Sequence, residues 1–464
     1  MDPIAELARL DRETALHPFT NLSDFASGKL GEPRIVETGK GIRIRDARGV
    51  ELIDGFAGLY CVNIGYGRQE VAEAIAAQAR KLAYYHTYAA HTTEQLTRLG
   101  ARLVRTAPAG MKRVFYGLSG SDGNETQAKL VWHYFNLAGQ PKKKKIIARE
   151  RGYHGCTVIA GSMTGMSFYH DRMDLPLPII LRTGVPHHYW GAQAGESEEA
   201  FSARRAKELE ALILKEGPDT VGAMIAEPML GTGGIIPPPA GYWREIQAVL
   251  RRYDILLIAD EVITAFGRLG AWYGSTAYDI EPDLITVAKG LTSGYVPMSA
   301  VLIGGKVAAA LERAGAQYGP FSHGYTYSGH PLGAAAANAA LDIVEKENLV
   351  ANAGSVGAAM LEQLRQAMAD IPIVGEVRGA GLLMAVEFVR DRKAKTRFEP
   401  ALGVGARVSR ECLAGGLIAR AMPHGDILGL APPLVLTAAD AADIVRICRD
   451  AVLRVYAQVK GSTG

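Results

Sequence analysis

Two kinds of hydrophobic pattern alternate along this chain. Between residues 71 and 82, and again between residues 242 and 253, apolar side chains recur every three or four positions, which predicts helices with one buried face. Short apolar runs separate such segments and are typical of strands buried on both faces of a parallel sheet. These predicted strands cover residues 114–116, 146–148, 221–226, 255–259 and 284–288. Residues 300–304 form a further run that we expect to return as an antiparallel neighbour.

Polar residues stand at the carboxyl ends of three predicted strands. Glu227 follows one apolar run, Asp260 follows the next, and Lys289 follows the third. In open α/β sheets, ligands bind beyond the carboxyl ends of the parallel strands. We therefore predict an α/β fold in which these three side chains share one rim of the sheet.

The pairing of Lys289 with Asp260 indicates a specific chemistry. A lysine at the end of an apolar strand is poorly hydrated, so its amine can lose its proton near neutral pH and attack a carbonyl. A buried carboxylate on the same rim suits a protonated pyridine nitrogen. Together they predict pyridoxal phosphate as the cofactor.

A phosphate-binding loop is also indicated. Gly120 and Ser121 lie in a small-residue loop between a predicted strand and a predicted helix, where backbone amides can approach an anion. Tyr153, in a glycine-flanked loop, offers a flat ring for stacking on a pyridine. Ordinary helix capping and core packing use the same residue types, so this reading depends on Lys289 and Asp260.

Composition excludes several other classes of protein. The chain has 464 residues, and 51 Lys and Arg nearly balance 48 Asp and Glu, so nothing favours nucleic acid. Its 4 cysteines include no CxxC pair, which argues against a zinc ribbon or disulfide framework. Acidic residues near the N-terminus are unlike a signal peptide, and the sequence has no long apolar run. Both features predict a cytoplasmic protein without membrane contact. His187 and His188 have no carboxylate or cysteine at ligand spacing in the sequence, so we predict no metal.

The ordered motifs resemble those of class III aminotransferases, which are fold-type-I pyridoxal phosphate enzymes, and in particular their amine:pyruvate (omega-amino acid:pyruvate) branch. The resemblance extends over nearly the whole chain. Its motifs are Ser119-Gly-Ser121, Gly152-Tyr-His-Gly155, Glu227-Pro228, Asp260-Glu-Val262, Phe266-Gly-Arg268, Ala288-Lys-Gly290 and Ala431-Pro-Pro-Leu434, with further matches at residues 17–20, 58–67 and 326–331.

This resemblance implies a two-domain architecture. A large domain, residues 61–330, is expected to hold a mainly parallel seven-stranded sheet flanked by helices. The two termini are expected to form a smaller α+β domain, made of residues 331–464 with the N-terminal segment 1–60 packed on it.

The resemblance also implies roles for individual residues around the cofactor. Lys289 would bind the cofactor covalently and move protons, and Asp260 would keep the pyridine nitrogen protonated. Further implied cofactor contacts are Gly120 and Ser121 at the phosphate, Tyr153 and Val262 on the two faces of the ring, Glu227 beside it, and Thr326 at the phosphate from a partner subunit. A homodimer with shared active sites follows from the last of these.

The implied reaction moves an amino group from a terminal amine or omega-amino acid to pyruvate in two half-reactions. Implied substrate contacts are Phe19, Tyr60, Tyr88, Tyr153, Thr232 and Arg420, of which Arg420 would bind the carboxylate of the keto acid. Tyr60 and Thr232 depart from the residues common in relatives. An aminomutase or decarboxylase of the same fold, and a binding protein that has lost turnover, are the alternative hypotheses.

Overall fold

A computed structural model describes residues 2–460 of the chain, with three sheets and the helices that surround them. The strands are β1 Val36–Lys40, β2 Arg43–Asp46, β3 Glu51–Asp54, β4 Met111–Gly117, β5 Lys145–Arg149, β6 Ile180–Thr183, β7 Val221–Ala226, β8 Leu256–Asp260, β9 Leu284–Val287, β10 Ser299–Gly304, β11 Val374–Ala380, β12 Leu383–Phe388, β13 Leu417–Ile418, β14 Arg420–Ala421 and β15 Ile427–Leu430.

The helices vary from single turns to the long C-terminal helix. They are α1 Pro3–Thr14, α2 Leu22–Ala26, α3 Ala57–Tyr60, α4 Gln69–Lys81, α5 Glu94–Thr106, α6 Gly120–Leu137, α7 Val158–Met163, α8 His188–Gly191, α9 Glu198–Glu216, α10 Tyr242–Arg252, α11 Gly274–Ala277, α12 Gly305–Tyr318, α13 Pro331–Lys346, α14 Leu349–Met368, α15 Val404–Ala414 and α16 Ala438–Val459. None of them, within residues 2–460, combines the length and the apolar composition needed to cross a bilayer.

The largest sheet has seven strands in the order β4-β10-β9-β8-β7-β5-β6. Strand β10 runs antiparallel to both of its neighbours, β4 and β9, and the remaining pairs are parallel. The predicted mainly parallel, seven-stranded α/β fold is therefore confirmed. Of its strands, β6 was not identified from the sequence, because Pro176 and Pro178 immediately before it make the segment read as a loop.

Helices cover both faces of this sheet. On one face, α6 buries Ala128 and Val131 against Ile225 and Ile258, and on the other face Trp243 and Ile246 of α10 belong to a second buried cluster. Complete burial of such an aliphatic side chain contributes roughly 1.5–3 kcal/mol. The two layers leave the carboxyl edge of the sheet open to the loops that follow each strand.

The N-terminal and C-terminal parts of the chain meet in a second sheet, ordered β1-β2-β3-β13. Ile53 and Asp54 of β3 pair in parallel with Leu417 and Ile418 of β13. The third sheet is entirely C-terminal, with the order β11-β12-β15-β14. Our domain boundaries at residues 60 and 330 remain proposals, and residues 1 and 461–464 of the outer segments lie outside the described part of the chain.

Candidate active site

A cavity of about 310 Å³ lies at the carboxyl ends of the parallel strands. Several residues singled out from the sequence line it, namely Gly120, Ser121, Tyr153, Glu227, Asp260, Val262 and Lys289. The wall also contains residues that the sequence did not single out, among them Cys61, Asn124 and Ile263. The rim residues Glu227, Asp260 and Lys289 therefore face one space, as their positions after β7, β8 and β9 require.

The carboxylate of Asp260 is buried and hydrogen-bonded on both oxygens. Its Oδ2 accepts a hydrogen bond from Asn124 Nδ2 at 2.8 Å and lies 2.8 Å from His154 Nδ1, while its Oδ1 accepts one from the Val262 amide at 3.1 Å. Because a carboxylate only accepts, the geometry assigns a proton to Nδ1 of His154. The side chain of Asp260 is 3% exposed, so its charge acts at short range on whatever occupies the cavity.

Lys289 lies in a short turn just after β9, with a positive φ of 46°. Its Nζ is 5.5 Å from the centroid of the Tyr60 ring. Burial lowers the pKa of Lys289, and the charges of Cys61, Asp260 and Glu227 oppose that shift only in part. The amine can therefore be neutral, and so nucleophilic and basic, at a lower pH than an ordinary lysine.

The first turn of α6 forms an anion cradle. Ser119 and Asp122 cap this helix reciprocally, and the backbone amides of Gly120 and Ser121 have no acceptor among the described residues. A Cβ at Gly120 would lie 2.9 Å from Cγ2 of Val262, so glycine is needed for close approach. Two free amides at the positive end of an 18-residue helix suit a phosphate.

These features fit pyridoxal phosphate. Lys289 would hold its aldehyde carbon, Asp260 its ring nitrogen, and the amides of Gly120 and Ser121 its phosphate, while the cavity wall at Tyr153 would cover the ring. When bound, the cofactor supplies a protonated pyridine that withdraws electrons from the substrate carbon.

Glu227 organises the loops on one side of the cavity. Its Oε1 accepts a hydrogen bond from the Tyr153 amide at 3.1 Å, and its Oε2 accepts one from the Gly231 amide at 2.7 Å. Burial raises the pKa of Glu227, and the charges of His154 and Arg149 oppose that shift. One carboxylate thus fixes both the Tyr153 loop and the loop that carries Thr232.

Tyr60 and Arg420 lie near Lys289, although neither belongs to the cavity wall itself. The Tyr60 ring is 1% exposed and packs against Phe56 with ring centroids 4.4 Å apart. The Arg420 guanidinium lies 5.6 Å from the centroid of Phe56. Within residues 2–460, Arg420 forms no ion pair with a carboxylate. Thr232 is buried, 4% exposed, in the loop that Glu227 holds.

Three of the predicted site residues do not line the cavity of a single chain, namely Phe19, Tyr88 and Thr326. Phe19 is 73% exposed and meets the cavity only indirectly, since its ring contacts Tyr169, which in turn contacts Tyr153. Tyr88 is 51% exposed. Thr326 is also exposed, and its carbonyl accepts a hydrogen bond from the hydroxyl of Tyr84. Their assigned roles therefore stay predictions.

The folded chain brings two carboxylates to His187 that sequence spacing did not reveal. Ligand atoms of His187, Glu376 and Glu387 lie within 4.8 Å of one another. However, Nη1 of Arg378 is 2.7 Å from both carboxylates, and the same guanidinium donates to the carbonyls of Gly234 and Ile235. A fixed cation therefore occupies the position where a metal ion would bind.

Among the cavity residues that the sequence did not single out, Asn124 contacts Asp260 directly. Its side chain donates to both Asp260 and the carbonyl of His154, and it is completely buried. A signal was available, because Asn124 follows Gly120 by four positions in a predicted helix and so lies on the same face. His154 also orients Asp260, through its Nδ1.

The sequence profile described as aminotransferase class-III matches residues 26–452. An uncharacterized aminotransferase of Sinorhizobium fredii is 67% identical over 452 residues, covering 97% of each chain. Diaminobutyrate--2-oxoglutarate transaminase of Halomonas elongata is 53% identical, covering 97% of this chain and 96% of its own. The crystal structure of an omega transaminase from Pseudomonas jessenii, in complex with PMP, superposes with a TM-score of 0.94 at 41% identity, covering 98% of this chain and 99% of that one.

Replacing Lys289 by alanine should remove the covalent link to the cofactor while leaving the fold intact. The wild-type chain, incubated with pyridoxal phosphate and reduced with borohydride, should gain the mass of one reduced cofactor on the peptide that contains Lys289. The Lys289→Ala chain should show no such gain, whereas a control Lys142→Ala chain, altered at an exposed lysine, should behave as wild type. A cofactor adduct retained by Lys289→Ala on another lysine would move the nucleophile elsewhere.

Proposed function

The chain belongs to the class III aminotransferases, which use pyridoxal phosphate, and we propose that it transfers an amino group from a terminal amine or omega-amino acid to pyruvate. The observation that carries this proposal is the guanidinium of Arg420, which lies near Lys289 over an aromatic ring with no carboxylate partner in residues 2–460. An arginine left unpaired beside a reactive lysine suits a substrate carboxylate, which it can bind through two parallel hydrogen bonds.

In the donor half-reaction, Lys289 is the group that moves protons. Its partly buried amine has a lowered pKa. The amine can therefore accept a proton from the donor carbon and then donate that proton to another atom. Asp260, held by Asn124 and His154, keeps its charge fixed opposite the reacting centre. Tyr60 and Thr232 would form uncharged walls for the donor, with Phe19 and Tyr88 at the entrance.

In the acceptor half-reaction, Arg420 would pair with the carboxylate of the keto acid. The neighbouring arginines are buried, and each of them donates to a backbone carbonyl. Arg149 donates to the carbonyl of Glu227, Arg151 to that of Gly233, and Arg268 to that of Leu382. Arg420, by contrast, is half-buried, and one such guanidinium favours a keto acid with one carboxylate, which is our reason for choosing pyruvate. The relative from Halomonas elongata carries 2-oxoglutarate in its name, so the acceptor needs a direct test.

We also propose that the protein is a homodimer in which Thr326 reaches the phosphate in the partner's site. Several aromatic side chains near Thr326 are exposed, including Tyr85 at 44%, Tyr88 at 51% and Tyr327 at 53%. Exposed aromatic clusters of this kind are typical of interfaces.

We further propose a cytoplasmic location. It agrees with the four cysteines, all free thiols, because disulfides are rare in that compartment.

The reaction can be tested by product analysis. Purified protein loaded with pyridoxal phosphate, incubated with pyruvate and each member of a broad panel of amines and omega-amino acids, should form alanine with at least one donor. Parallel reactions with 2-oxoglutarate should form glutamate more slowly. The absence of alanine with every donor would contradict transamination to pyruvate, and release of carbon dioxide or a rearranged amine would favour the decarboxylase or aminomutase alternative.

Replacing Arg420 by leucine should weaken keto-acid use selectively. We expect kcat/KM for pyruvate to fall by roughly tenfold to a hundredfold, because a charge-assisted hydrogen-bonded pair contributes about 1.5–3 kcal/mol. The rate with an uncharged amine, measured as the separate donor half-reaction, should change little. Arg410→Leu, on the exposed side of α15, serves as the matched control. Equal losses in both half-reactions would contradict a carboxylate-binding role for Arg420.

The oligomeric state gives an independent check. Light scattering coupled to size-exclusion chromatography should give twice the mass of the chain, or a multiple of the dimer. A Tyr327→Arg substitution should reduce association, because it buries a charge in the proposed interface. A wild-type monomer that retains full turnover would contradict the shared active site.

A further inference from the structure

A buried polar contact links the turn that carries Lys289 to the C-terminal sheet that carries Arg420. At its centre is Asn63, whose side chain is 1% exposed. Its Oδ1 accepts a hydrogen bond from Nη2 of Arg268 at 2.9 Å, and its Nδ2 donates to the carbonyl of Phe266 at 3.2 Å. We call Asn63 and Arg268 the buried pair.

Asn63 supports the backbone immediately after Lys289. A Cβ placed on Gly290 would lie 2.4 Å from Nδ2 of Asn63, so the side chain of Asn63 packs directly on Gly290. The next residue, Ile64, donates its amide to Oγ of Ser293 at 3.1 Å. Two consecutive residues of one loop therefore brace the turn in which Lys289 holds its positive φ.

Arg268 connects Asn63 to the C-terminal sheet through its own hydrogen bonds. It is completely buried, and its Nη1 donates to the carbonyls of Leu382 and Pro432. Leu382 leads into β12, and Pro432 follows β15 closely. Strand β15 pairs with β14, where Arg420 stands opposite Gly429. No carboxylate within residues 2–460 forms an ion pair with Arg268, so its hydrogen bonds all serve to join chain segments.

We propose that Asn63 and Arg268 are positioning residues that fix the turn of Lys289 relative to the strand of Arg420. This inference rests on the proposed function, because it assigns the buried pair a role in placing a keto acid between the amine and the guanidinium. A keto acid must reach both groups at once, so it depends on the distance between them. An uncharged amine needs only Lys289, so it depends much less on that distance.

Substitutions of Asn63 and Arg268 that remove some or all of their hydrogen bonds test this inference. Asn63→Leu removes both side-chain hydrogen bonds, and Asn63→Asp keeps an acceptor for Arg268. Arg268→Lys can reach the carbonyls of Leu382 and Pro432 but has no planar fork with which to reach Asn63 as well. The control is Asn338→Leu, which removes two hydrogen bonds to Gln95 between α13 and α5.

Each variant would be assayed in two separate half-reactions: the pyridoxamine phosphate form with pyruvate, and the pyridoxal phosphate form with the fastest uncharged donor of the wild-type panel. For Asn63→Leu and Arg268→Lys we expect kcat/KM for pyruvate to fall by roughly tenfold to a hundredfold, the loss typical of a small displacement of reacting groups. The donor half-reaction should stay within about twofold of wild type, as should both half-reactions of Asn338→Leu. Asn63→Asp should recover most of the pyruvate rate.

A second measurement separates positioning from folding. After borohydride reduction, intact mass should show the same fraction of chains linked to the cofactor in wild type, Asn63→Leu and Arg268→Lys. Equal losses in both half-reactions, unchanged rates with pyruvate, or a lower linked fraction in either variant would each overturn the inference. Failure of the wild type itself to form alanine would instead overturn the proposed function.

Discussion

The structure depends on one buried negative charge at the end of the central strand β8. Asp260 can stay at this position because Asn124, His154 and the Val262 amide supply its hydrogen bonds. A buried carboxylate without such partners would cost several kcal/mol, about the range expected for an unpaired ion in a protein interior. Its three partners belong to three different chain segments, so these hydrogen bonds form only when the segments are folded against the end of β8.

Much of the fold and the inner part of the site could be predicted because both follow from local patterns. Buried parallel strands are continuous apolar runs, and residues placed directly after them must lie on one rim. That reasoning located Glu227, Asp260 and Lys289 in a single cavity. It failed for β6, whose neighbouring prolines resemble a loop, and it overlooked Asn124, although the four-residue spacing from Gly120 placed Asn124 on the same face of its helix.

The outer part of the site could not be derived in this way. Phe19 lies on an exposed loop and Tyr88 in an exposed 3-10 turn, so their place in the site stays a prediction, and Arg420 is on a two-residue strand far along the chain. Their relation to Lys289 depends on long-range contacts such as those of Arg268, which no periodicity encodes. His187 shows the same limit, since Glu376, Glu387 and Arg378 are distant from it in sequence and surround it only in the folded chain.

The parallel pairing of β3 with β13 has a consequence for how the molecule is made. Strand β3 emerges early in synthesis, but its neighbour β13 is translated only after most of the chain. During that interval the edge of β3 that pairs with β13 has no partner strand. Pairings between such distant segments form slowly, because a long loop must close first. Chains truncated before β13 would therefore leave that edge of β3 unpaired, and an unpaired strand edge can pair with other chains.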